Sequence, residues 1–114
     1  MIISKELIDD VVVVKIDGEV EKEDELEIRT FFDELLTEPA TAKIVIDASA
    51  IQYMGSSTLG IFSKIYQEAG KNGGRVIFAS LSNFVKKIFK ITTFDKYLDV
   101  KYSVKDAVDE LRNP

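Results

Sequence analysis

Residues 43–62 read KIVIDASAIQYMGSSTLGIF, and this stretch decides the fold. It opens with Ile44-Val45-Ile46, a β-branched run typical of a strand in a sheet that is covered on both faces. Asp47 closes the run, and we expect its carboxylate to accept a hydrogen bond from the turn that follows. After a polar connection, apolar residues recur with the three-and-four spacing of an amphipathic helix that begins near Ser57. These residues are Leu59, Phe62, Ile65, Tyr66 and Ala69.

Three hydroxyl side chains precede this predicted helix, in the segment Gly55-Ser56-Ser57-Thr58. A helix N-terminus has unpaired backbone N–H groups and the positive end of the helix dipole, so it favours a phosphate, either bound or covalently attached. Ser and Thr are also preferred helix caps, and capping alone accounts for the same residues. The residue types therefore leave a phosphate site and a simple helix cap both open.

Strand and helix patterns alternate along the rest of the chain. Residues 2–8 and Val11–Ile16 predict two strands, the second ending at Asp17-Gly18, and helical spacing runs from Val20 to Leu36 with Pro39 as its end. A helix between two apolar strands predicts a parallel crossover. The remaining elements are a strand at Arg75–Ala79, a helix opened by Leu81-Ser82-Asn83, a short last strand and a final helix capped by Ser103.

This order predicts an α/β fold with a mixed, mostly parallel sheet of about four to five strands and about four helices. At 114 residues, we expect positions 1–114 to form a single domain.

Composition excludes several functions. The chain has no cysteine and no histidine, which removes disulfides, zinc-thiolate sites and catalysis by an imidazole base. We expect no enzyme activity, no metal and no cofactor. A net charge of −5 argues against nucleic-acid binding. No apolar run approaches the roughly 20 residues that span a bilayer, so we expect a cytoplasmic protein with no membrane partner.

A family resemblance is carried by three segments: Asp47-Ala48-Ser49, Tyr53-Met54 and Gly55-Ser56-Ser57-Thr58-Leu59-Gly60. Together they resemble the signature of STAS-domain proteins, specifically the anti-sigma factor antagonists, and the order of elements is similar along nearly the full length. Gly55 stands where that family usually has Asp, and Thr58 stands where it usually has Gly.

The resemblance implies a binding switch that regulates sigma-factor-dependent transcription. The unphosphorylated domain would bind an anti-sigma factor that is itself a serine kinase, phosphorylation of Ser56 would release it, and a PP2C-type phosphatase would reset the switch. Ser57 is the second choice of acceptor. The expected partner surface comprises Gly18, Glu19, Glu21, Met54, Gly55, Ser57, Thr58, Ser63 and Gln67.

Other readings stay open at this point. Gly55 and Thr58 favour a STAS scaffold subunit of a transporter or signalling complex that is never phosphorylated, and a nucleotide-binding STAS module is a further alternative. A phospho-acceptor role for Asp47, as in a receiver domain, is disfavoured. Such a site needs an acidic pair at the C-terminal end of the first parallel strand, whereas Asp9-Asp10 precedes the strand that begins at Val11. The glycine-rich segment 70–74 lacks Walker A spacing and predicts a helix-ending turn.

Overall fold

The computed structural model describes residues 1–37 and 42–112, so the predicted helix end at Pro39 lies outside the described residues. Within these ranges the chain forms six strands and four α-helices. The strands are β1 (Ile2–Ile8), β2 (Val11–Val20), β3 (Lys43–Asp47), β4 (Ile51–Met54), β5 (Arg75–Ala79) and β6 (Val100–Lys101). The helices are α1 (Glu25–Leu35), α2 (Ser56–Lys71), α3 (Asn83–Ile91) and α4 (Val104–Arg112).

The sheet follows the order β1-β2-β3-β5-β6, with β4 paired to the far end of β2. β1 runs antiparallel to β2, and the other pairs are parallel. The predicted parallel pairing of the valine run with Ile44–Ile46 is confirmed, since Val12 pairs with Ile44 and Val14 with Ile46. The α/β fold with a mixed, mostly parallel sheet is therefore confirmed, with one strand more than expected.

Both faces of the central strands are covered. Ile44 and Ile46 pack with residues of α1, α2 and α3, whereas Val45 packs with α4 on the opposite face. The alternation follows from the two-residue period of a strand. All three residues are at most 1% exposed, which accounts for the unbroken apolar run.

The prediction that Asp17-Gly18 ends the second strand is wrong. Gly18 has φ +103°, a value that few other residues adopt, and it sits at a register shift in the pairing of β2 with β4. The strand continues through Glu19 to Val20. The dipeptide therefore lies within the strand and does not form the turn that its composition indicated, and the extra residue at the register shift is Gln52 of β4.

The continuation of β2 provides the partner strand for β4, which sequence analysis took for a polar connection. Gly18 pairs with Ile51, Glu19 with Tyr53 and Val20 with Met54. α1 also begins later than predicted, at Glu25, after a single 3₁₀ turn at Lys22–Asp24. Because β2 continues to Val20 and α1 begins only at Glu25, the acidic segment 19–27 lies beside the start of α2.

Candidate functional site

The hydroxyl segment lies where β4 passes into α2. Met54 ends the strand, and Gly55 occupies the N-cap position with extended backbone angles and no side-chain cap. The helix starts at Ser56, one residue before the predicted start. Because glycine is the cap, neither Ser56 nor Ser57 is used for capping, and the alternative account of these residues as caps is wrong.

Ser56 presents an exposed hydroxyl at the first position of α2. Its side chain makes no hydrogen bond with any residue in the ranges 1–37 and 42–112. The backbone N–H groups at the start of a helix have no acceptor within that helix. The Ser56 side chain therefore lies beside donors that suit a phosphate group.

Ser57 is held differently. Its hydroxyl donates a hydrogen bond of 2.5 Å to Oε2 of Glu25, the first residue of α1. Thr58 donates to the same oxygen at 3.1 Å and is 0% exposed. One carboxylate from a neighbouring helix thus binds two of the three hydroxyls. Acidic side chains are favourable near a helix N-terminus, and α2 has none of its own in its first turn.

The predicted partner surface lies at the ends of two neighbouring strands, β2 and β4. Gly18 and Glu19 lie beside β4 through their pairing with Ile51 and Tyr53, and Glu21 follows directly. The Glu21 N–H donates to Oδ2 of Asp24 at 2.8 Å, which shapes the 3₁₀ turn. This segment and the start of α2 both leave the carboxyl ends of parallel strands, where ligand and partner sites of such sheets commonly lie.

The residues of the predicted partner surface differ in their accessibility. Glu19, Glu21, Ser57 and Gln67 are exposed, and Gly18, Gly55 and Ser63 are partly exposed. Met54 and Thr58 are buried, so their side chains are not available to a partner, and this part of the prediction needs correction. Both side chains point into the core, because Met54 lies on the inward face of β4 and Thr58 on the inward face of the first turn of α2.

Three residues at this surface were not predicted. Glu25 was assigned only to the dipole of its own helix, and its contact with α2 joins residues 32 positions apart. Tyr53 is 46% exposed and packs against Phe84, with ring centroids 5.5 Å apart. Leu26 is 75% exposed next to Glu25. A large exposed apolar residue inside an acidic segment was the one available signal.

A separate groove of about 620 Å³ lies beside the C-terminal half of α2. Gly70 and Gly74 line it, and the segment 70–74 forms a helix-ending turn in which the Gly74 N–H donates to the Ala69 carbonyl at 2.8 Å, as predicted. Burial, together with the nearby Asp99 carboxylate, raises the pKa of Tyr66 in this groove. Arg75 there is already paired with Asp99 and Glu110.

Neither a metal cluster nor a membrane segment is found in the described part of the chain. It contains no group of three or more Asp or Glu side chains placed to hold a metal ion. None of its helices combines the length and the apolar character needed to cross a bilayer.

Comparison with known proteins identifies the family. The model of the STAS domain family matches residues 3–107, and the chain belongs to this family. A Thermotoga maritima protein named as a candidate anti-sigma factor antagonist is 25% identical over 107 residues, covering 93% of this chain and 94% of the relative.

Solved structures share the fold. A crystal structure of a candidate anti-sigma factor antagonist from Thermotoga maritima superposes with a TM-score of 0.88 at 23% identity, covering 97% of this chain and 95% of that one. The phosphorylated form of the Bacillus cell-fate determinant SpoIIAA gives a TM-score of 0.75 at 20% identity, covering 97% and 100%.

Proposed function

We propose that this protein is an anti-sigma factor antagonist that works as a phosphorylation-controlled binding switch. Its unphosphorylated form binds an anti-sigma factor that is also a serine kinase, and the sigma factor is released. The kinase transfers phosphate from ATP to Ser56, the complex dissociates, and a PP2C-type phosphatase restores the hydroxyl. The switch operates in the cytoplasm and needs neither nucleic acid nor a membrane.

One observation carries the proposal: Ser56 is exposed and without a hydrogen bond within the described ranges, at the first position of α2. Family membership and the name of the Thermotoga maritima relative support the class of function. A free hydroxyl is available to a kinase, whereas one that is buried or bonded must first be released.

The charge at this surface supports the direction of the switch. Phosphorylation adds about −1.5 to −2 charges at pH 7. Within the domain, the N-terminus of α2 tolerates this charge. At a docked interface, like-charge contact or incomplete desolvation costs several kcal/mol, and about 1.4 kcal/mol changes affinity tenfold. Phosphate on Ser56 is therefore expected to weaken partner binding by on the order of a hundredfold or more.

The proposed contact surface runs from the C-terminal end of β2 along the exposed face of α2. Ser56, Gly60, Ser63 and Gln67 recur at the three-and-four spacing that places residues on one helix face. Glu19 and Glu21 extend this face across β4, together with Gly18, Gly55 and Ser57. Met54 and Thr58 support the surface from below.

Phosphorylation by a candidate anti-sigma factor kinase from the same genome tests the proposal. After incubation with ATP, tandem mass spectrometry should locate phosphate on Ser56, and Ser56→Ala should abolish the modification while Ser57→Ala retains it. Phosphate that maps elsewhere, or that persists in Ser56→Ala, would contradict the assignment.

Gly55 supports a second candidate, a STAS scaffold subunit that is never phosphorylated. A glycine cap leaves the acceptor without an acidic residue in front of it, where phosphorylated relatives of this type usually have one. For a scaffold, Ser56→Asp should leave assembly with its partners unchanged, and protein isolated from cells should carry no phosphate on Ser56.

A further inference from the structure

We propose that Glu25 selects Ser56 over Ser57 as the phosphate acceptor and transmits the phosphate charge from α2 to α1. This inference rests on the proposed function, since it concerns the same phosphorylated surface. It assigns a positioning role to a residue that has no part in the sequence signature of the hydroxyl segment.

Glu25 is placed by two helices at once. It is the first residue of α1, and its Oε2 accepts hydrogen bonds from Ser57 and Thr58 of α2. Thr58 is 0% exposed, so its hydroxyl needs an internal partner, and Glu25 supplies it. The carboxylate is therefore anchored from below by a buried donor and cannot turn away without leaving that donor unpaired.

This arrangement makes Ser57 a poor acceptor. The Ser57 hydroxyl proton is already donated to a carboxylate, and hydrogen bonds to charged groups are among the stronger ones. A phosphate on Ser57 would replace that donor with about −1.5 to −2 charges facing the Glu25 carboxylate. Ser56 has no such bond within the described ranges, so Glu25 leaves it as the available hydroxyl.

The transfer to Ser56 is a conventional kinase step. The bond between Ser56 Oγ and the γ-phosphorus of ATP forms while the bond from that phosphorus to the β–γ bridging oxygen breaks. ADP leaves, and the Ser56 hydroxyl proton passes to a base of the kinase.

Once phosphorylated, Ser56 carries its charge on the residue that directly precedes the Ser57–Glu25 contact. At physiological salt, charges are screened over a length of about 8 Å, so neighbouring charges at this surface still interact. The phosphate gains from the free amides of α2 but repels Glu25, so the two effects oppose each other. Repulsion loosens the start of α1, which continues from the acidic segment 19–24 of the partner surface.

Phosphoserine installed during translation at position 56 or 57 tests the inference without any kinase. The backgrounds are wild type, Glu25→Gln and the control Glu27→Gln. Glutamine keeps an acceptor oxygen for Ser57 and Thr58 but removes the charge. Glu27 lies in the same first turn of α1, and its side chain has no hydrogen bond within the described ranges.

For each background, we compare the melting temperature with and without phosphoserine 56. We expect the change caused by the phosphate to be more negative in wild type than in Glu25→Gln, with a difference of about 4 °C or more. Glu27→Gln should behave as wild type, and the wild-type protein should melt at a lower temperature with phosphoserine 57 than with phosphoserine 56. Equal shifts in wild type and Glu25→Gln would overturn the inference.

A second measurement keeps the test decisive if Glu25→Gln folds poorly. In wild type, phosphoserine 56 should speed amide hydrogen exchange at the start of α1, and high salt should reduce this effect because it screens charges that solvent reaches. Exchange that is unchanged by phosphate, or insensitive to salt, would overturn the inference. Because the phosphate is installed directly, these results are independent of whether a natural kinase modifies Ser56.

Discussion

Arg29 of α1 donates from Nη2 to both carboxylate oxygens of Glu68 on α2, each at 2.9 Å. The same nitrogen also contacts Asp33 at 3.1 Å, one turn further along α1. Together with the Glu25 contact at the start of α2, this ion pair joins α1 to α2, the helix that carries most of the proposed contact surface. The relative position of α1 and α2 therefore depends on polar contacts as well as on the core.

We predict that Glu68→Ala lowers the free energy of unfolding by about 1 to 2 kcal/mol, because it leaves the partly buried Arg29 guanidinium without its interhelical partner. Urea unfolding at pH 7 measures the change. Asp33→Ala is the control, since Asp33 is the more exposed partner, and its loss should change stability by less than about 0.5 kcal/mol. Equal losses of unfolding free energy in the two variants would contradict the proposed contribution of the interhelical contact.

Two glycines on the proposed surface should respond oppositely to the same substitution. Gly18→Ala should lower the unfolding free energy by about 1 to 3 kcal/mol, because φ at Gly18 is +103°. Gly60→Ala should raise it by about 0.8 kcal/mol, since Gly60 lies inside α2 with open space around it and alanine favours a helix. Thermal and urea unfolding measure both. A neutral Gly18→Ala would contradict the strain expected for a side chain at this backbone angle.

Acid should weaken the attachment of α4 to the sheet. Lys101, whose Nζ lies 2.8 Å from a Glu110 oxygen, and then Arg75 lower the pKa of Glu110 on α4. Because the folded pKa is depressed, the stabilisation is present above the ordinary glutamate pKa of about 4.3 and is lost as pH falls through the folded value. Glu110→Gln should therefore lower the urea midpoint at pH 7, and its difference from wild type should shrink at about pH 3.

Glu6→Gln provides the control for this pH dependence. Glu6 is an exposed residue of β1 and has no ion pair within the described ranges. Its substitution should leave the urea midpoint close to wild type at both pH values. A Glu110→Gln difference that persists or grows in acid would contradict the proposed role of the Lys101 and Arg75 contacts.

The central elements were predictable from sequence because their signals are local. The run Ile44–Ile46 showed a strand buried on both faces, and Ser82 and Ser103 marked the starts of α3 and α4, where each hydroxyl accepts a backbone N–H. Asp47 accepts from the Ser49 N–H at 3.0 Å, as predicted.

The missed features depend on contacts between distant residues. β4 is short, with only Ile51 and Met54 buried, and it forms because Gly18 lets β2 continue past a turn-like dipeptide. Thr58 belongs to a polar run but is buried, since a carboxylate 33 residues earlier satisfies its hydroxyl. No local pattern reports such a pairing. The position of the candidate site along the chain thus came from local residue patterns, whereas its internal hydrogen bonds required the structure.

The most direct test of the central claim is the affinity of this protein for a candidate anti-sigma factor, measured by calorimetry with Ser56 unmodified and with phosphoserine at position 56. Ser56→Ala should bind like the unmodified protein, and Ser56→Asp should bind more weakly. Phosphoserine 56 should raise the Kd by on the order of a hundredfold or more. The same Kd for all four forms would contradict the account.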